Sequence, residues 1–123
     1  MKIRKGTFFI TVNAQNKHSN SSEPKTFIPQ LIRKNGYIVT MFDAEMAEPF
    51  EIGVYKRDNM WIVTCLLTGY MICQAKTRKA ALERFELYYM QKYRAYIRRN
   101  DSAFRVVVGR FNELLAMYVK GAN

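Results

Sequence analysis

The chain has 123 residues, 49% apolar and 24% charged, which is long enough for a core of its own and too apolar for a disordered segment. Twenty Lys and Arg against ten Asp and Glu leave a net charge of +10, so a polyanion or an acidic protein surface is the expected partner. The longest apolar runs, such as Trp61 to Leu67, fall far short of the about 18 residues a membrane span needs, and one domain over residues 1–123 is expected.

Met1 to Ile10 opens on basic residues, but its apolar run is short and is followed by polar Asn13 and Gln15, which argues against a secretory signal. Thr7 to Asn13 is β-branched and aromatic and predicts a first strand. Residues 14–25 hold almost nothing that could be buried and read as a flexible, solvated loop. Thr26 to Arg33 is ambiguous, because Pro29 removes a ladder donor and argues for an edge strand or an extended segment. Asn35-Gly36 signals a turn, and Tyr37 to Phe42 predicts another strand.

Asp43, Glu45, Glu48 and Glu51 form an acidic stretch in a basic chain. No ligand spacing accompanies them, so a solvated loop is expected, with contact to a basic helix as the next reading. Phe50, Ile52 and Val54 alternate with Glu51 and Gly53 as a half-buried strand does. Asp58-Asn59 suits a two-residue hairpin loop, and Thr68-Gly69 suggests a second, which together make a meander.

Counting back from Thr68-Gly69 pairs Leu67 with Tyr70 and Thr64 with Cys73, which puts Cys65 and Cys73 on opposite faces. A disulfide between them is then not expected, and two reduced thiols fit a cytoplasmic protein. Both faces of this hairpin are largely apolar. Helices should cover one and further chain or a partner the other, a mild pointer to a homodimer or a protein partner.

Thr77 is placed to cap a helix in which Leu82, Phe85, Tyr89, Tyr93 and Tyr96 share one arc at about 100° per residue. Arg84, Gln91, Arg94 and Arg98 fall on another arc, a basic stripe of roughly 21 Å, with Arg99 at its end. Lys76, Arg78, Lys79 and Lys92 are secondary basic positions beside it. Asn100 to Ser102 separates this helix from a second, marked by Phe104, Val107, Val108, Phe111, Leu114, Leu115 and Tyr118, with Gly121 at its end. Val106 to Val108 leaves a strand there as a minor alternative. The fold class is therefore α+β: an antiparallel sheet of four to six strands with two C-terminal helices packed on it.

The stripe can meet phosphates, meet carboxylates of a protein, or serve as a solvated face. His18 is the lone histidine and lies in the polar loop, so neither a metal site nor a cofactor is expected. An enzyme is not expected either. No phosphate-binding loop or nucleophile motif is present, and a magnesium-dependent nuclease would have to be built from the acids near Lys56.

Phe50-x-x-x-Val54-Tyr55-Lys56, Trp61-x-Val63-Thr64, Thr68-Gly69 and Thr77-Arg78-Lys79-x-Ala81 resemble small accessory proteins of phages and mobile elements, some anti-CRISPR proteins among them. The resemblance spans about 35 residues. It implies a non-enzymatic inhibitor in the cytoplasm of a bacterial host that occludes nucleic-acid machinery, such as an RNA-guided nuclease. Many such inhibitors are acidic mimics of DNA, and a charge of +10 departs from that mechanism. The alternative is a protein that binds DNA or RNA directly, with little sequence preference, through its basic helix.

Overall fold

The computed structural model describes residues 1–15, 27–43, 45–46, 48–99 and 102–121, with the backbone alone at Ala14, Gln15, Phe27, Arg99 and Gly121. Five strands form an antiparallel sheet in chain order: β1 (Lys2–Gln15), β2 (Phe27–Met41), β3 (Phe50–Arg57), β4 (Met60–Cys65) and β5 (Met71–Ala75). A helical rod follows, made of α1 (Arg78–Arg84), a π-helical turn (Phe85–Tyr89) and α2 (Met90–Arg99), and then α3 (Ser102–Gly121). This is the expected α+β architecture. Of the loop expected over 14–25, Ala14 and Gln15 belong to β1, and the rest lies outside the described residues.

The turn expected at Asn35-Gly36 is absent. β2 runs straight through it, with Asn35 opposite Thr7 and Gly36 opposite Gly6. Only Tyr37 to Met41 continue into β3 pairing, so beyond Gly36 the β1–β2 ribbon leaves the plane of the sheet. A methyl group on Gly36 would run into the Val54 carbonyl oxygen and lie 3.1 Å from Tyr55 Cβ. Glycine is required here by close approach, not by a turn.

The ribbon curls over the face opposite the helices. Phe8 and Ile10 join Tyr55 and Ile62 in a buried cluster there, with Val12, Ile38 and Leu66 at its edge. Phe8 meets Tyr55 edge-on at 6.0 Å between ring centres. At the far end the Thr11 amide donates to the Gly69 carbonyl at 2.9 Å, and the Thr11 hydroxyl to the Thr68 carbonyl at 2.7 Å. Further chain thus covers the second apolar face of the meander, one of the two coverings expected of it.

The helix-side core holds Val39, Met41, Ile52, Val54, Val63, Cys65, Cys73 and Ala75 from the sheet, under Ala81, Leu82, Phe85 and Tyr93. Asp58-Asn59 forms the expected hairpin loop, with Asp58 at φ 55° and Arg57 paired with Met60. The second loop is longer than the expected two residues. Cys65 is the last paired residue: its carbonyl accepts from Gly69 and its amide donates to Tyr70, with Gly69 at φ 77°. Thr64 therefore faces Met71, Val63 faces Cys73, and a bulge takes up Ile72 between them. That register puts Cys65 and Cys73 in the same core, not on opposite faces, and both are free thiols.

Candidate polyanion-binding surface

The rod is fixed at its start by Thr77, whose hydroxyl accepts from the Ala80 amide at 3.0 Å. The π-helical turn then changes the phase of everything after it, because it spends one residue more than an α-turn. Phe85 and Tyr93 sit eight residues apart yet are both buried, with ring centres 5.9 Å apart. In an unbroken α-helix that spacing would separate them by about 80°. Tyr96 falls off the expected core arc for the same reason; it is exposed and leans on Phe104 at 5.9 Å, while Ile97 takes the inward place.

The basic stripe is likewise rearranged. Arg84 is out of phase with Gln91 and lines up with Lys92, eight residues on. The Arg84 guanidinium bends back to donate to the Gln74 carbonyl at 2.8 Å. Arg94 is not on the open face. It points at the acidic stretch, where its Nε lies 2.8 Å from Asp43 Oδ2 and its Nη1 meets Glu45 Oε2. Side-chain exposure is 16% for Arg94 and 10% for Asp43. Gln91, Lys92 and Arg98 are exposed, as are Lys76 and Lys79, and Arg78 sits over the Tyr37 ring at 4.5 Å. The side chain of Arg99 lies outside the described residues.

The acidic stretch is therefore not a freely solvated loop. Asp43 accepts from the Glu45 amide at 3.0 Å and its carbonyl from the Met46 amide at 3.0 Å, a tight turn that aims both carboxylates at Arg94. Beside it runs a groove of about 640 Å³ lined by Phe50, Leu66, Leu67, Tyr93 and Ile97, with Glu48 and Arg98 among its polar residues. Among the described residues no three of His, Cys, Asp or Glu come together in a metal-binding arrangement, and no helix is long and apolar enough to cross a membrane.

Burial pushes the Cys73 thiol up to about 11, and it also raises the Tyr55 and Tyr93 hydroxyls. The Tyr93 hydroxyl and Cys65 Sγ are 3.3 Å apart inside the core. Cys73, Tyr55 and Tyr93 are protonated at neutral pH and built into the packing.

The pairing of Arg94 with Asp43 and Glu45 answers to the next reading of the acidic stretch, contact with a basic helix, whereas the contact of Arg78 with an aromatic ring had no signal in the sequence. The chain matches no protein family, no curated protein and no solved structure.

Proposed function

We propose that this is a non-enzymatic protein that acts on nucleic-acid machinery by binding, and that it engages nucleic acid directly through exposed cations of the helical rod. The way the acids are used supports the reading. Asp43 and Glu45 are taken by Arg94, and Glu51 pairs with Arg4 at 2.6 Å. Lys76, Lys79, Lys92 and Arg98 are left exposed with no ion-pair partner among the described residues. Of the carboxylates on the rod, only Glu83 and Glu86 dilute that field.

The test is fluorescence anisotropy of short labelled oligonucleotides across a salt series. Affinity should fall log-linearly with salt, with a slope of about −0.7 per phosphate contact for single strands and about −0.9 for duplex. Joint replacement Lys79→Glu, Lys92→Glu and Arg98→Glu should weaken binding more than about tenfold and flatten that slope. Arg94 stays in place, because its loss would disturb the fold. Absence of binding at low salt refutes the reading.

A protein-directed inhibitor, the role the phage-protein resemblance implies, is the second reading. It is supported by Leu87 and Tyr88, 75% and 70% exposed on the outer side of the π-helical turn. If it holds, a nucleoprotein target is retained after nuclease digestion, and Leu87→Asp with Tyr88→Asp releases it.

A further inference from the structure

At the rim of the sheet where the ribbon departs, the register gathers side chains from five elements on the helix side. Lys5 on β1 lies opposite Tyr37 on β2, and Lys56 on β3 lies opposite Trp61 on β4. The Tyr37 and Trp61 rings are 6.1 Å apart at a 40° tilt, and the Arg78 guanidinium of α1 covers the Tyr37 ring at 4.5 Å. A shallow groove of about 480 Å³, lined by Lys5, Gly6, Thr7, Asn35, Gly36 and Tyr37, opens alongside. Both rings are only partly buried, and Lys5 and Lys56 are exposed.

Trp61 packs inward on the helix-side core, while outward the pair meets the Arg78 guanidinium, with Lys5 and Lys56 at the paired register positions. None of these three cations has a carboxylate within ion-pair distance among the described residues. Flat π-surfaces and a guanidinium plane recognise the faces of unpaired bases, and flanking lysines hold the phosphates on either side. Bases inside a duplex hide those faces, so a rim of this kind discriminates in favour of single strands.

We infer that Tyr37, Trp61 and Arg78, flanked by Lys5 and Lys56, form a stacking platform for single-stranded nucleic acid. The inference rests on the nucleic-acid reading above and adds a site and a strand preference to it. It also moves the specific contact from the open face of the helical rod to the sheet rim, leaving the rod cations to supply long-range attraction.

Trp61 is the single tryptophan of the chain, so its emission reports on this site alone. The experiment titrates the intact protein with an unlabelled single-stranded oligonucleotide and, separately, with the matching duplex, following Trp61 emission. Anisotropy of labelled strands is read in parallel. The single strand should quench Trp61 while the duplex leaves its emission nearly unchanged, and Tyr37→Leu or Arg78→Ala should weaken single-strand binding about tenfold. Lys5→Ala with Lys56→Ala, at exposed positions that leave the rings in place, should weaken it as well. Binding by anisotropy with no Trp61 response overturns the platform and leaves the nucleic-acid reading standing. Equal quenching by duplex also overturns it, and no binding by either measure removes both.

Discussion

Arg94 illustrates how one side chain changes the meaning of a basic surface. By position it belongs to a row of cations, but it spans 49 positions of sequence to reach Glu45 and, with it, hold the turn that begins at Asp43. With both partners largely shielded from water, removing one leaves the other charge poorly compensated. Arg94→Ala should therefore cost about 2 kcal/mol in a urea melt, whereas Arg98→Ala, at an exposed position, should stay within about 0.5 kcal/mol. Equal effects would mean that the ion pair is incidental. A charge reversal at Arg94 would also be a poor probe of binding, since it confounds affinity with folding. Nothing local in the helix distinguishes Arg94 from Arg98, so this difference was legible only as the second reading of an acidic cluster.

Among the elements, the rod and the ribbon each depend on a local departure from regular geometry. Gly36→Ala should destabilise the protein by about 2 kcal/mol or more, because the backbone of β3 occupies the space a methyl group needs. Gly109→Ala in α3 meets nothing within 4 Å and should gain about 0.5–1 kcal/mol of helix propensity. Thermal melts of the two variants should move in opposite directions. In the rod, deleting Leu87 should convert the π-helical turn to an α-turn and keep Phe85 over Tyr93, since seven residues make nearly two whole α-turns. Retained cooperative unfolding would support that account; a collapse to a molten state would refute it.

These elements also show which signals a sequence carries. Asp58-Asn59 and Thr77 act on their nearest neighbours, so hairpin and cap were readable. Asn35-Gly36 has the same turn grammar, but its glycine answers to a carbonyl from β3, which local pattern does not encode. The β4–β5 register turned on whether the loop closed at Thr68-Gly69 or at Cys65, and that choice displaced Cys73 to the other face. The π-helical turn has no composition signature, and the helical arcs drawn through it drifted by about one residue in consequence.

At the scale of the molecule, protonated groups buried on both faces of the sheet, Cys73 and Tyr93 under the helices and Tyr55 under the ribbon, shape the response to alkali. In Cys73 the folded state raises the thiol from 9.0 to about 11, and Tyr55 and Tyr93 shift in the same direction. A raised acid favours its neutral form in the fold. The stabilisation it brings is complete below pH 9 and is lost as pH rises towards 11. Urea midpoints should be flat up to about pH 9 and decline beyond it, and Cys73→Ala should show a shallower decline. An identical pH profile in the variant would remove Cys73 from the explanation.

The curl of the ribbon has a consequence for how copies of this protein meet one another. A five-stranded open sheet has two edges, and an exposed edge invites another chain to add a strand. β5 offers five residues interrupted by a bulge, and β1 is bent so that the Thr11 amide is spent on Gly69. The stretch of β1 left in the plane carries Lys2, Arg4 and Lys5. Opening the curl at Gly36 would straighten fourteen residues of β1 into a continuous template, so variants there should be lost to strand-to-strand precipitation before they accumulate as unfolded monomers.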